Sequence, residues 1–230
     1  MHCAKCHSKE ATREFTPVVE GKPQKTVHLC QDCALPLHTS IEAVYRRVTP
    51  GEFARFQSDA KAAESFFNPS PEQLVQQTLR ALEEADNPEK LPAKTQEQED
   101  VCILIVGTDW HALHFLLTGD GELKPHPLPP PPLGNVVQGG TETPWPCTYG
   151  HIRSLTPDEV RAAADALAGI SVQELRSRFT VASFNAAKIY PYGKGWTEKA
   201  GERVFEIYPQ VVQFFQAAAR DGDMILLSSD

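Results

Sequence analysis

The stretch TPDEVRAAADALAGIS, residues 156–171, carries the clearest structural signal in this 230-residue chain. Thr156 stands at an N-cap position, Pro157 at the first helical position and Glu159 three residues after the threonine. This pattern is typical of a helix start, because the hydroxyl and the carboxylate satisfy free backbone amides reciprocally. Related patterns are Thr49-Pro50-Gly51-Glu52, Ser70-Pro71-Glu72-Gln73 and, without proline, Ser171-Val172-Gln173-Glu174. Four helices are therefore predicted to begin near residues 50, 71, 157 and 172.

Three segments outside these helices are predicted to be strands. They are residues 41–48, the apolar run 101–106, and residues 224–227 after a turn at Asp221-Gly222-Asp223. Between residues 204 and 218 apolar side chains recur at helical spacing, and Pro209 is expected to restart or kink that helix. The pattern predicts an α+β fold over residues 40–230, a compact single domain of helices packed on a small sheet.

Two stretches are expected to lack regular structure. Residues 83–100 carry seven acidic and two basic residues with two prolines, which indicates a solvated loop rather than a linker between two domains. Residues 125–146 contain four consecutive prolines and the pair Gly139-Gly140. A stiff surface connection is the favoured interpretation of this segment, and a polyproline helix that binds an SH3-like partner is the alternative.

The first 38 residues form a separate predicted module because they contain two cysteine pairs, Cys3-x-x-Cys6 and Cys30-x-x-Cys33. Four thiolates at this spacing can complete the tetrahedral shell of one zinc ion. Strand-like residues 13–19 and 25–29 flank a polar turn, so the sequence predicts a zinc-bound β-hairpin. A segment this small buries little apolar surface, and a structural Zn²⁺ would supply much of its folding free energy.

Two alternatives to a four-cysteine zinc site are open. The cysteines could form two disulfides in a secreted module, but Cys3 follows the start of the chain without an apolar leader, which favours a reducing cytoplasm and zinc. His7 or His28 could also replace one cysteine as a ligand.

Charge argues against nucleic acid as the partner. Residues 1–39 hold five basic and four acidic residues, a balance of +1, and subtracting this from the chain's −8 leaves −9 for residues 40–230. A nucleic-acid reader needs a basic face. An acidic domain should also repel anionic membranes, and no apolar run approaches the roughly 18 residues of a membrane span. We therefore expect a cytoplasmic protein with a protein partner.

The sequence MHCAKCHSKEATREFTPVVEGKPQKTVHLCQDCA, at the start of the chain, resembles the N-terminal zinc module of McsA-type and ClpE-type bacterial stress proteins. In those proteins two CxxC pairs bracket a hairpin, and the module serves protein–protein contacts. The resemblance implies the same role here.

The segment TDWHALHFLLTG, residues 108–119, invites a catalytic interpretation. A helix capped by Thr108 or Asp109 would bring His111 and His114 to one face, where paired imidazoles can bind metal or transfer protons. The segment lacks the glutamate of an H-E-x-x-H motif, so packing and polar anchoring are favoured over a small-ligand site or a metal site. Its apolar side chains are expected in the core, and Cys102 is expected to be a small buried hydrophobic residue.

Several blocks of residues 40–230 are similar to the YfbM-like bacterial family of unknown function. They are SIEAVYRRVTPGEFARF, FQSDAKAAESFF, DWHALHFLLTG, the glycine pair, YGHIRSLTPDEVRAAADALAGIS, IYP and AAARDGDMILLSS. The resemblance implies a single compact α+β domain without an established reaction. The zinc module and the extended proline run depart from the common form of the family.

Aromatic and polar residues within these blocks are the candidates for a shared ligand pocket. They are Trp110, His111, His114, Tyr149, Arg153, Tyr190 and Trp196. In a pocket the arginine would pair with an anionic group, the tyrosines would supply hydroxyls and a tryptophan would form a flat wall. The alternative is structural, since such residues often lie half-buried and Arg153 could hold a loop or a helix end.

No nucleophile elbow, phosphate-binding loop or dinucleotide fingerprint occurs in the chain. The favoured function is a non-enzymatic protein-interaction protein, such as an adaptor or an acidic immunity-like protein. An enzyme or small-ligand-binding domain that uses a cleft around Trp110, His111, His114 and Tyr149 is the alternative, and a nucleic-acid-associated factor is the weakest hypothesis.

Overall fold

Helix starts and apolar strands build one mixed domain in the computed structural model, which describes residues 41–67, 102–122, 129–191 and 195–230, together with short pieces between residues 2 and 29. The chain divides into two compact units, Met1–Ile41 and Glu42–Asp230. Elements are numbered over the described residues. The four cysteines of the predicted zinc site, the predicted helix near residue 71 and the acidic stretch 83–100 lie outside them.

Four short strands are described in the first unit. β1 (Arg13–Phe15) pairs antiparallel with β4 (Val27–Leu29), and β2 (Val18–Val19) pairs antiparallel with β3 (Lys22–Pro23). An isolated antiparallel bridge joins His2 to Glu10.

The second unit contains a five-stranded antiparallel sheet with the order β6-β5-β9-β8-β7. Its strands are β5 (Ala43–Val48), β6 (Ile103–Gly107), β7 (Thr141–Cys147), β8 (Gly150–Leu155) and β9 (Met224–Ser229). Seven helices are described: α1 (Pro50–Ser58), α2 (Ala60–Phe67), α3 (Trp110–Thr118), α4 (Pro157–Ala168), α5 (Val172–Ser177), α6 (Val181–Ala186) and α7 (Glu198–Asp221). The predicted class of helices packed on a small sheet is confirmed at this level.

Helices cover both faces of the sheet: five of the six residues of the central strand β9 are buried, and successive side chains of a strand point to opposite faces. On one face, the fully buried ring of Tyr45 contacts the rings of Phe214 and Phe215 on α7, with centroids 6.4 and 6.1 Å away. On the other face, Val48 and Leu226 belong to an apolar cluster with residues of α1 and α2. The core is therefore divided into two layers by the sheet.

Local capping chemistry accounts for the starts of α1, α4 and α5. Thr49 and Thr156 each form a reciprocal capping box with the glutamate three residues later, and the Ser171 side chain accepts from the amide of Glu174. The predictions of helices at residues 50, 157 and 172 are confirmed, as are strands within 41–48, 101–106 and 224–227, each with slightly shifted ends.

Two predictions about single segments are wrong, and a third is wrong in part. The stretch 125–146 is not wholly irregular, because β7 occupies its end as an edge strand, where proline removes no hydrogen bond from a central ladder. The helix near the C-terminus does not restart at Pro209, since α7 continues through it and buries one face along its length, while a kink at this proline stays a prediction. Cys102 is exposed rather than buried, because it precedes edge strand β6.

None of the described helices is both long enough and apolar enough to cross a lipid bilayer.

Candidate functional site

Helix α3 carries three of the candidate residues into the interior. Two residues separate it from the end of β6 at Gly107, and it is followed by the C-cap residue Gly119, which adopts a left-handed φ of 77°. Seven of its nine residues are buried, including Trp110, His111 and His114. Asp109 stands at the N-cap position, but its carboxylate pairs with Arg203 at 3.1 Å instead of capping a helix amide. The helix is thus held by burial and by contacts to α7.

Both ring nitrogens of His111 bond backbone groups. The Tyr190 N–H donates to Nδ1 at 2.9 Å, so the neutral ring carries its proton on Nε2, which lies 3.2 Å from the Gly121 carbonyl oxygen. Burial lowers the pKa of His111, and the Gly121 carbonyl and the charge of Asp120 oppose this shift only in part. The side chain is therefore a neutral bridge between α3 and two loops.

Aromatic rings surround this histidine. The Trp110 ring stacks on His111 with a centroid distance of 5.1 Å and on Tyr190 at 5.8 Å. Close along the chain, the Trp196 indole N–H donates to the Ile189 carbonyl at 2.7 Å, and its ring contacts Phe184 at 5.0 Å. Trp196 is 4% exposed, so its ring packs within the core.

His114 lies one turn further along α3 and is fully buried. Its Nε2 is 4.0 Å from Oδ2 of Asp120, whose side chain is partly exposed. The two histidines therefore have different partners: His111 bonds backbone groups, and His114 faces a carboxylate.

Arg153 lies on β8, and Tyr149 is the residue just before this strand. Arg153 donates from Nε to the Gly139 carbonyl at 2.9 Å, from Nη2 to the Gly140 carbonyl at 2.6 Å, and from Nη1 to the Glu142 carboxylate at 2.7 Å. Gly140 has a φ of 82°, and a Cβ there would meet the Ser154 carbonyl at 2.6 Å. Arg153 therefore stabilises a glycine turn in which Gly140 has no room for a side chain. The Tyr149 N–H donates to the Ser229 carbonyl at 3.0 Å.

The seven candidates thus fall into two groups. Trp110, His111 and Tyr190 form contacts between α3 and the segment after α6. Trp196 lies in that segment and His114 on α3, whereas Arg153 and Tyr149 belong to the β7–β8 end of the sheet. Their described contacts are structural, and ligand binding by the set stays a prediction. Among the described residues no group of three or more His, Cys, Asp or Glu side chains is arranged to hold a metal ion.

Asn185 is a residue of this region that the sequence did not indicate. Its side-chain oxygen accepts from the Trp196 N–H at 2.7 Å, and its side-chain nitrogen lies 3.3 Å from the Trp196 carbonyl. This two-way contact fixes the loop that carries Trp196. A lone asparagine in a short helix gives no signal of such a contact, because its partner lies eleven residues away on a loop.

Comparisons with known proteins give a family and a fold. A family model with the description "Domain of unknown function (DUF1877)" matches residues 40–228. The chain is also similar to a crystal structure described as a protein of unknown function YfbM from Escherichia coli. That likeness has a TM-score of 0.51 at 17% identity, over 82% of this chain and 99% of the other, and it shows a shared fold alone. No curated protein matches this chain.

Proposed function

The chain belongs to the family of domain of unknown function DUF1877, and on that premise we propose that it is a non-enzymatic protein-interaction protein of the bacterial cytoplasm. Edge strand β6 would be its docking surface, and an N-terminal zinc module would add a second contact. The partner at the β6 surface is a basic protein that adds a strand to the sheet. The chain itself would act as an adaptor or an immunity-like protein.

The observation that carries this proposal is the exposure of Ile103 and Ile105. They are the exposed large hydrophobic side chains of the described part of the chain, with 51% and 61% of their surface open. Both lie on β6, an edge of the sheet within the described part of the chain, and project from the same side because they are two residues apart. An edge strand with apolar side chains is a ready template for a strand from another protein.

Charge supports a basic protein as the occupant. Residues 40–230 carry a formal balance of −9, obtained by subtracting the +1 of residues 1–39 from −8. A negative field of this size accelerates encounter with a basic partner and repels nucleic acid and anionic membranes.

A structural zinc site in the first unit is part of the proposal. Cys3, Cys6, Cys30 and Cys33 have the spacing of a tetrathiolate site. The register of the described strands supports it, because Arg13 pairs with Leu29, the residue immediately before Cys30. The resemblance to stress-protein zinc modules supports a protein-contacting role for it.

An enzyme or small-ligand site around Trp110, His111, His114 and Tyr149 has less support. A general base needs a free lone pair within reach of substrate. In His111, Nδ1 accepts from the Tyr190 amide and Nε2 bonds the Gly121 carbonyl, and burial lowers the pKa of the ring. These features favour an anchoring role.

The β6 surface can be tested by affinity capture of the full chain from its native cell. We expect a discrete partner, identified by mass spectrometry, to bind wild type and to bind Ile105→Lys at least about tenfold more weakly once purified. Ala162→Lys is the matched control, because it adds the same charge at an exposed position of α4. Equal binding by Ile105→Lys and wild type would refute the β6 surface.

The zinc module can be tested separately. Cys30→Ser is expected to lose bound zinc, measured by elemental analysis of freshly purified protein, because three thiolates hold the ion less tightly than four. Cys102→Ser is the control and should keep it. Full zinc occupancy in Cys30→Ser, or oxidised cysteine pairs in native protein, would contradict the proposed site.

A further inference from the structure

A cavity of about 220 Å³ lies where β5, β8 and β9 meet the turn between β7 and β8. Its lining includes a guanidinium, a carboxylate, a hydroxyl, a thiol and two apolar side chains, which are Arg46, Asp230, Ser228, Cys147, Phe67 and Ile152. None of the candidate pocket residues discussed above lines it, so it is a separate site.

The polar side of the cavity is organised around a buried hydroxyl. Ser228 is 4% exposed; its Oγ accepts from Arg46 Nη1 at 3.0 Å and donates to Asp230 Oδ2 at 2.8 Å. A cationic and an anionic group are thereby held side by side at fixed positions. This is an arrangement of opposite charges bridged by one neutral group.

The neighbouring arginine shows a guanidinium that is paired with two carboxylates in this sheet. Arg47 donates to Asp223 Oδ2 at 2.9 and 2.7 Å and to Asp221 Oδ2 at 2.6 Å. Among the described residues, the Arg46 side chain makes its hydrogen bond to a serine hydroxyl, and the charge of Asp230 acts on it from further away. Further donors of Arg46 are therefore available to an anionic group in the cavity.

The opposite side of the cavity is apolar and rigid. Ile152 is 2% exposed and belongs to the apolar cluster under α1 and α2. The Phe67 ring packs against Trp145 at 5.3 Å and Phe66 at 5.2 Å. A ligand that fills the cavity would thus meet a fixed apolar wall facing a charged pair.

We propose that this cavity binds a free α-amino acid with an apolar side chain. Its carboxylate would pair with Arg46, its ammonium with Asp230, and its side chain would lie against Phe67 and Ile152. The volume is below the roughly 300–1,000 Å³ of sites for drug-sized ligands, which suits a molecule of this size. The site is independent of the β6 surface, because no residue of β6 lines the cavity.

Protection of Cys147 from alkylation offers a direct test. Cys147 lines the cavity and is partly exposed, whereas the exposed Cys102 is absent from its lining. We expect L-leucine to slow iodoacetamide labelling of Cys147 in the full-length protein, measured by peptide mass spectrometry, and to leave labelling of Cys102 unchanged. The apparent affinity follows from the leucine concentration that halves the rate.

Two leucine analogues and three variants make the test specific. 4-Methylpentanoate lacks the ammonium and 3-methylbutylamine lacks the carboxylate, so each should protect at least about tenfold more weakly than leucine. Arg46→Gln and Asp230→Asn should weaken protection by leucine by a similar factor, and Arg161→Gln, at an exposed arginine of α4, should not. Circular dichroism checks that each variant is folded. If Arg46→Gln is unfolded, Asp230→Asn still tests the charged pair, because it is a near-isosteric change at an exposed residue.

No protection of Cys147 by leucine would overturn the proposal. Equal protection by an analogue that lacks one charge, or unchanged protection in a folded Arg46→Gln and Asp230→Asn, would overturn it as well. The β6 surface would be unaffected by any of these results, since its test reads partner binding at Ile105.

Discussion

Three of the candidate residues bond backbone groups of other segments. His111 bonds the amide of Tyr190, Arg153 bonds the Gly139 and Gly140 carbonyls, and the Trp196 indole bonds the Ile189 carbonyl. Backbone groups in loops lack partners from a helix or sheet, so a buried side chain that bonds them stabilises the loop conformation. The described contacts of these three residues are those of anchors, and ligand binding by the candidate set stays a prediction.

His111→Ala is expected to destabilise the protein by about 2–4 kcal/mol, because it leaves a cavity and removes the partners of two backbone groups. Urea unfolding followed by circular dichroism measures the change. His151→Ala, at an exposed histidine, is the control and should stay within about 0.5 kcal/mol of wild type. Unchanged melting of His111→Ala together with loss of a ligand-induced thermal shift would instead identify a binding residue.

Stability should also fall with pH below the ordinary histidine pKa of 6.5. Burial lowers the pKa of His111 in the folded state, so between that lowered pKa and 6.5 the unfolded chain binds more protons than the folded one. Above 6.5 both states are neutral at this residue and the effect vanishes. Asp120 faces the site and reduces the effect without reversing it.

The measurement is the unfolding free energy as a function of pH for wild type and for His111→Gln, which cannot titrate. The difference between the two isolates His111, because His114 and Asp120 are present in both. The wild type should lose stability relative to the variant as pH falls below 6.5, and parallel curves would contradict the assignment.

At the scale of elements, prolines are placed where the backbone tolerates them. β7 contains Pro144 and Pro146, and the pairing of β7 with β8 shifts register between Glu142 and Pro146. An edge strand has one side without a ladder partner, so a missing N–H there removes no bond. Within α7, Pro209 is accommodated because burial of one face of the 24-residue helix outweighs a lost backbone bond.

Helix α4 offers an element-scale prediction. Thr156→Ala removes the hydroxyl that accepts from the Glu159 amide and should destabilise the protein by about 1 kcal/mol, or roughly 2–4 °C in Tm. Thr156→Ser keeps an acceptor at the same position and should melt near wild type. Equal melting of the alanine and serine variants would mean that packing alone sets this helix start.

At the scale of the whole molecule, we propose that the two units are stabilised in different ways. The second unit, Glu42–Asp230, has a core on both faces of its sheet, and its ends are joined by bonds between the Glu42 and Asp230 backbones at 2.8 and 2.9 Å. The first unit, Met1–Ile41, is short for apolar burial alone and is proposed to depend on zinc.

Deletion of residues 1–39 should therefore leave the remainder folded. We expect a cooperative thermal transition within about 2 °C of the main transition of the full chain, since the deletion keeps the strand pairs and both core layers. Circular dichroism and light scattering monitor folding and aggregation. A deletion variant that is unfolded or aggregated would show that the second unit depends on the first.

The sequence by itself determined the helix starts at Thr49, Thr156 and Ser171 and three of the strands, because capping and apolar runs act between residues a few positions apart. The sequence did not predict edge strand β7, because its prolines are tolerated only through the position of the strand at the edge of the sheet. The tertiary structure alone decided the contacts of the candidate residues. His111 meets an amide 79 positions away, and Arg46 meets a hydroxyl 182 positions away. Such pairings depend on how strands and helices pack, and no local pattern encodes them.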